Sequence, residues 1–483
     1  MAFKDLREYI EKLEEEKEAI KIDEEVDWDL EVGAIIRRSY DLKAPAPLFQ
    51  NIKGYPKGYR IFGAPAGTSS RPGGYHSRMA ISYGMDPDSS AEELIEEYLE
   101  RKKHPIKPVM VDNGSCKEII KTGDDVNLLD FPVPFVHEGD GGRYIGTWHI
   151  VITKDPDTGW VNWGMYRLMV HDKNTMTGLI IPAQHIGQMY YGKFEARDKP
   201  MEFAIAIGTE PVSTLMGCTF LPPGVNEADI AGAIRQEPVE LVKCESVDLA
   251  VPAHSEIVLE GLVMPHEREE EGPFGEYVGF RAGERSPKPV YRVKTVTHRK
   301  DPIMPVSNMG VPVDDSAAVM SINLSAEILG ELRAKQLPVK MAYCPPEGVG
   351  HLVAVSTKVP YPNIAKRIAS CVWAYTIGIY YVVVVDDDVD VTDFGQVLHS
   401  MTTKCHPHKG IKTFDDTPIY PVLIPFLGPG DRQTGNGGGN ALFDCTWPYE
   451  WPKEHIPAKS SFDVLWPKDI QERVLAKWEK YGY

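Results

Sequence analysis

A chain of 483 residues with 42% hydrophobic content can bury sizeable cores and is long enough for two or three domains. Its formal net charge of −18, unbroken by any basic stripe, argues against a nucleic-acid or anionic-membrane partner. The opening MAFKDLREYIEKLEEEKEAIKI has the polar pattern of an amphipathic helix and lacks the apolar core of a signal peptide. No apolar run approaches a membrane span, and seven scattered cysteines without a CxxC pair suit a reduced cytoplasm, with neither a disulfide framework nor a structural zinc site.

In chain order, residues 1–105 read first as helical, with Leu6, Ile10 and Leu13 on one face and a second helix around 30–40. A Pro/Gly-rich stretch with short strand-like pieces follows, then AEELIEEYLERKKHP, a helix ended by Pro105. From 106 to 310 the pattern changes to short β segments punctuated by turn residues, as in an antiparallel sheet or barrel, with one helical insertion, NEADIAGAIRQEP. After 310, SAAVMSINLSAEILGELRAKQ reads as a helix, and IAKRIASCVWAYTIG followed by IYYVVVV reads as helix then buried strand, the order of an α/β layer.

The strongest chemical signal is Glu271-Gly-Pro-Phe-Gly-Glu276-Tyr. Pro273 and Gly275 break regular structure, so the segment reads as a loop. Two carboxylates five residues apart would leave a straight strand on opposite faces, and the bend lets both face one cavity. Flanked by Phe274 and Tyr277, they suit acid–base work, because burial and like charge drive their pKa values apart. The adjoining Glu267, Glu269 and Glu270 read as a solvated acidic face.

Other stretches say less when taken singly. Arg167 in VNWGMYRLMVHD reads as an outward-facing strand residue, and His185, after Gln184 in IIPAQHIGQMYY, as a satisfied structural histidine. Glu227 in LPPGVNEADI stabilises a first helical turn without any metal. Asn162, His185 and Glu227 together offer O, N and O donors suited to Mn²⁺ or a similar divalent ion, a trio that spacing alone does not assemble. Asp386, Asp387, Asp388 and Asp390 read as a solvated strand-end turn. GNGGGN at 435–440 reads as a mobile loop, since TGNGGGN lacks the Lys-Ser/Thr of a phosphate-binding loop.

Asn162-Trp163 with Arg167, Gln184-His185, Glu227, and Glu271-Gly-Pro-Phe-Gly-Glu276, in this order, resemble the UbiD family of reversible decarboxylases, which use prenylated FMN. The similarity runs over essentially the full length, through PAPLFQNIKGYP, FPVPFVHEGDGGRYIGTWH, IPAQHIG and KWEKYGY, and looks most like the ferulic acid and pyrrole-2-carboxylate decarboxylase branch. The resemblance implies an α+β and α/β multidomain fold: a small N-terminal domain (1–105), a split β-barrel binding the prenylated FMN (106–310), and a linker helix with a C-terminal α/β dimerisation domain (311–483). It also implies that Asn162, His185 and Glu227 hold Mn²⁺ or a similar divalent ion against the flavin phosphate. The backbone of Trp163 and that around Met216 and Gly217 would bind K⁺ beside it. Met165 and Gln184 join the cofactor-binding set, as does Lys404 in SMTTKCHPHKG, and Arg167, Glu271 and Glu276 match the catalytic set. One geometric difficulty follows: Asn162 and Arg167 are an odd number of residues apart, and a regular strand would part them unless Gly164 hosts a bulge.

The implied reaction removes CO₂ from an aromatic, heteroaromatic or α,β-unsaturated acid through a covalent adduct with the prenylated flavin, since no side chain can absorb the electrons left on an sp² carbon. Arg167 would grip the substrate carboxylate and organise an ionised Glu271, and Glu276 would protonate the carbon that has lost CO₂. A flavin prenyltransferase is implied as cofactor supplier, and a homodimer or larger homo-oligomer as the assembly. On the residues alone two other classes stay open: a metal-dependent hydrolase using the Glu271/Glu276 pair, and a flavin-binding oxidoreductase, although no dinucleotide fingerprint follows a strand.

Overall fold

In the computed structural model, which describes residues 2–281, 283–415, 417, 425–428, 430–431 and 437–483, the amphipathic N-terminal pattern forms the helix Leu6–Glu15. Asp5 caps it by accepting the N–H groups of Arg7 and Glu8, and Leu6, Tyr9, Ile10 and Leu13 are buried. The helix does not reach residue 22 as the charge pattern suggests. Lys17 takes a left-handed φ of 62°, and Ala19–Val26 becomes a strand because it gains a parallel partner in Ala46–Ile52. The second expected helix is present as Glu31–Asp41, and Ala91–Lys102 starts in a capping box of Ser90 and Glu93. The N-terminal sheet runs Ala19–Val26, Ala46–Ile52, Arg60–Gly63, Ile303–Val306, so its last strand returns from far along the chain.

The central unit is an antiparallel sheet whose main path runs Tyr144–Gly146, Leu168–Val170, Thr175–Gly178, Ser286–His298, Ile257–Glu271, Met201–Ile207, His149–Lys154, Val161–Gly164. Strands six places apart on that path are joined directly in sequence, Gly146 to His149 and Gly164 to Leu168. In a flat sheet six steps would span roughly 29 Å, whereas those links reach at most about 11 and 14 Å. The sheet therefore curls until its ends meet, giving the expected split barrel. The run HEREEE, read as a charged face beside a loop, is the outer end of the strand Ile257–Glu271. Pairing with Ser286–His298 carries it that far, with Glu269 opposite Lys288.

Helices Asp315–Val319 and Ser325–Ala334, joined by a π-helical turn, lead to a five-stranded mixed sheet ordered Val339–Tyr343, Leu352–Thr357, Tyr381–Asp386, Gly439–Cys445, Ile411–Asp415. Val382 to Val385 are fully buried, and the helix Ile364–Tyr375 precedes them as expected. Of the glycine-rich loop, residues 435 and 436 lie outside the described residues, and Gly439 already begins a strand. Beyond residue 446 comes an arm with the short helices Phe462–Leu465 and Lys468–Leu475, neither of which buries a residue. No helix among the described residues is long and apolar enough to cross a membrane, and all seven cysteines are free.

Candidate active site

Glu271 is the last residue of its strand, so the turn begins one residue later, at Gly272, whose φ of 81° suits glycine. Pro273 and Gly275 then carry the chain around the buried Phe274 to Glu276, and both carboxylates reach one guanidinium. Arg167 donates from Nε to Glu271 Oε1 at 2.9 Å and from Nη2 to Glu271 Oε2 at 2.7 Å, while its Nη1 donates to Glu276. All three side chains are buried. Burial works against the charge of Arg167, but the two carboxylates outweigh it and hold the guanidinium above the ordinary arginine range.

Tyr144 completes this cluster, donating its hydroxyl to Glu271 Oε1 at 2.7 Å. Burial, and next the charge of Glu271, push the phenol up, so it remains a donor. Sequence reasoning missed it: a tyrosine in GGRYIGTW carries no local sign of a carboxylate partner more than a hundred residues away.

Arg167 does not share a strand with Asn162. The strand Val161–Gly164 stops before it, and Arg167 lies on the crossing to Leu168–Val170. The odd spacing therefore imposes nothing, no bulge at Gly164 is needed, and both side chains line one cavity of about 250 Å³.

The other end of that cavity gathers the metal-type residues. The His185 ring meets Asn162 Oδ1 through Nδ1 at 3.1 Å, and the Asn162 amide is oriented by Nδ2 donating to Tyr166 at 3.4 Å. Burial lowers the pKa of His185, keeping the ring neutral and able to ligate. Glu227 opens the helix Glu227–Arg235 and is almost fully buried, with Oε2 accepting the Trp163 N–H at 2.9 Å. Burial pushes its carboxyl up to about 8 against the pull of that N–H, and among the described residues it has no ion-pair partner. A buried acid of this kind is one positive charge short.

Trp163, Met165, Gln184 and Gly217 also line the cavity, with Leu179, Ile181, Phe220 and Met309 adding apolar wall. Gly217 is there because a Cβ would come 2.3 Å from Ile150 Cγ2, so only glycine lets the helix Pro211–Gly217 approach the barrel. Met216 is buried behind that wall and does not line it. Lys404 stands away from the cavity wall, with Nζ 2.6 Å from Asp386 Oδ2 and 5.3 Å from the Trp447 ring centre. Asp388 and Asp390 are exposed, as expected of a solvated turn.

Three family models match the chain in order: the N-terminal domain of 3-octaprenyl-4-hydroxybenzoate carboxy-lyase at residues 10–98, its Rift-related domain at 107–312 and its C-terminal domain at 317–445. The chain is 34% identical to the pyrrole-2-carboxylic acid decarboxylase of Pseudomonas aeruginosa and 34% identical to ferulic acid decarboxylase 1 of Saccharomyces cerevisiae, in each case over 99% of this chain and 98% of the relative. A solved structure of an evolved dimeric form of the UbiD-class enzyme HmfF from Pelotomaculum thermopropionicum, in complex with prFMN, has a TM-score of 0.78 and 29% identity, covering 94% of this chain and 97% of its own. The chain thus belongs to the UbiD family of carboxy-lyases, which leaves the hydrolase and oxidoreductase readings without support.

Proposed function

We propose that this carboxy-lyase catalyses the reversible, non-oxidative decarboxylation of an aromatic, heteroaromatic or α,β-unsaturated acid with prenylated FMN. One observation carries the reading: a buried guanidinium grips Glu271 on two prongs and holds Glu276 at a cavity whose other end is an Asn/His/Glu donor set. When bound, the prenylated flavin supplies the electron sink that no side chain offers.

The residues fit that group. A flavin phosphate is an anion, and the cavity end that would receive it holds the buried Glu227 without an ion-pair partner among the described residues, so a divalent cation held there would offset both charges. Asn162, His185 and Glu227 supply the oxygen and nitrogen donors that suit Mn²⁺ or a similar divalent ion. K⁺ would sit beside it against the backbone of Trp163 and of Met216 and Gly217.

Of the five N–H groups of Arg167, three engage Glu271 and Glu276, and the two that have no partner among the described residues would grip a substrate carboxylate. Glu271, held by Tyr144 and by two prongs of Arg167, fixes the guanidinium. Glu276, on the cavity wall, gives a proton to the carbon that has lost CO₂ and removes it in the carboxylation direction. The apolar walls fit a planar acid.

A flavin prenyltransferase is the proposed cofactor supplier, and a reducing cytoplasm the proposed compartment, in keeping with seven free cysteines. A homodimer or larger homo-oligomer is supported by the arm beyond residue 446, which exposes Trp451, Phe462, Trp466, Leu475, Trp478 and Tyr481, a large apolar surface to leave in water. We divide the chain at 1–105, 106–310 and 311–483, a division supported by the spans of the three family models.

The test is CO₂ release by flavin-loaded protein from a panel of aromatic and acrylic acids, with exchange of labelled bicarbonate into the same acid. Release and exchange with one panel member are expected. Flavin-loaded protein inert toward the whole panel overturns the reading.

A further inference from the structure

Behind Glu276 two loops are fastened together. Loop 137–142, HEGDGG, lies against residues 272–276: Asp140 Oδ1 accepts the Gly275 N–H at 3.1 Å, and the Gly141 N–H donates to the Pro273 carbonyl at 2.7 Å. Both contacts depend on glycine, since a Cβ on Gly141 would come 2.1 Å from the Gly272 carbonyl oxygen and one on Gly275 2.7 Å from the His137 ring. The second oxygen of Asp140 accepts the His137 backbone N–H at 3.0 Å and faces His137 Nδ1 at 3.0 Å, with the Asp140 side chain fully buried.

His137 extends the fastening to the segment after the barrel. Its Nε2 faces Asn308 Oδ1 at 2.6 Å and the Met309 carbonyl at 3.0 Å. Asn308 cannot turn its amide round, because Nδ2 donates to the Gly33 carbonyl at 2.6 Å. Both imidazole nitrogens therefore meet acceptors, the arrangement that suits a doubly protonated ring. Burial lowers the pKa of His137, while Asp140, Asn308 and Met309 raise it by more, leaving it above the ordinary histidine value. Met309 lines the cavity, so Asp140 and His137 tie the loop that carries Glu276 to another part of the same wall.

We propose that Asp140 and His137 are positioning residues for the proton transfer, holding Gly275, and through it Glu276, in place against Arg167 without touching substrate. The inference rests on the reading of Glu276 as the proton donor. Neither residue lines the cavity, so their effect must pass through the backbone of the turn.

The test uses flavin-loaded holoenzyme and three variants beside Glu276→Gln. Asp140→Ala removes the acceptor for Gly275 and the partner of His137, whereas Asp140→Asn keeps an amide oxygen for Gly275. Because a displacement of about 1 Å at a reacting group costs on the order of a hundredfold, kcat should fall about 100-fold in Asp140→Ala and by no more than about tenfold in Asp140→Asn. KM for the acid and flavin bound per chain should stay within about threefold of the parent, since substrate and cofactor contacts are untouched. If Asp140→Ala does not fold, His137→Gln, which cannot donate to both sides, should show the same fall in kcat at unchanged KM and flavin content. Asp140→Ala and His137→Gln at parental kcat, Asp140→Asn as impaired as Asp140→Ala, or kcat falling only in step with lost flavin each overturn the inference. Normal turnover in Glu276→Gln overturns the acid–base reading and this inference with it, while an inactive Glu276→Gln beside a normal Asp140→Ala overturns the positioning role alone.

Discussion

Arg167 and Glu271 meet through two parallel hydrogen bonds, 2.9 Å and 2.7 Å long, and the same guanidinium turns its remaining terminal nitrogen to Glu276. Lysine cannot reproduce that fork. Arg167→Lys keeps the positive charge but loses at least one hydrogen bond to a buried carboxylate, so it should cost about 1.5–3 kcal/mol of stability and lower CO₂ release by more than about a hundredfold. Thermal melts beside the CO₂ assay check both.

Glu276→Gln keeps the size and most of the polarity of the side chain but has no proton to give at working pH. Turnover should fall by about 10²–10⁴ while the bound flavin spectrum stays that of the parent. A variant with normal turnover would remove Glu276 from the proton-transfer role.

Tyr144→Phe takes one hydrogen bond from the buried Glu271 and leaves the ring in contact with Phe274, at a centroid distance of 4.1 Å. A hydrogen bond to a charged group contributes about 1.5–3 kcal/mol, so a measurable drop in melting temperature and in kcat is expected, with flavin content unchanged. An unchanged melt would show that Glu271 is held by Arg167 alone.

Glu227→Gln separates the metal function from packing. Without a cation the buried carboxylate is a liability, so the metal-free protein should melt no lower, and even higher, in the variant. Its retention of divalent metal and of flavin after gel filtration should fall by roughly 10–100-fold or more. Parental retention of both would argue against Glu227 as a ligand.

The pH dependence of stability should carry the mark of His137. Its pKa is raised in the fold, so the stabilisation from its charged form is fully present below the ordinary value of 6.5 and is lost as pH rises through the folded value. The titratable and charged groups on the elements packed around it include Glu138 and Asp140 on its own loop, Glu276 on the adjoining turn, Arg281 against Gly139, Arg37 against Gly310, and Asp314, whose carboxyl burial pushes up to about 7. Melting temperatures of parent and His137→Gln should therefore differ most at acid pH and converge on the alkaline side. A constant gap across the range would contradict a charged His137.

Local chemistry explains which parts of the site were legible in the sequence. Pro273 and Gly275 announce a bend from any context, and Glu271 and Glu276 on either side of it read at once as a pair. Arg167 does not read that way, because its partners come from a strand and a turn that only the curled sheet brings to it. The resemblance to the family supplied that residue, and with it Asn162, His185 and Glu227. Tyr144, Asp140 and His137 carry no local signal at all, since each has a partner more than a hundred residues away, in Glu271, Gly275 and Asn308 respectively.

The same division holds for the fold. The buried strand of consecutive valines and the helix before it were legible because burial on both faces leaves a continuous apolar run. The strand Ala19–Val26 was hidden by its charges, and the outer half of Ile257–Glu271 by a run of acids. In both, pairing with a neighbouring strand decides the structure, a tertiary effect that no local pattern encodes.

The most direct measurement takes protein expressed anaerobically with and without a flavin prenyltransferase, and records the absorbance and mass of the released cofactor together with CO₂ evolved from the acid panel by the same sample. Prenylated FMN bound only after co-expression, CO₂ from at least one acid and none from the cofactor-free sample are expected. Protein that stays colourless under both conditions, or that evolves CO₂ without the cofactor, would contradict prenylated-flavin decarboxylation at the Arg167, Glu271 and Glu276 site.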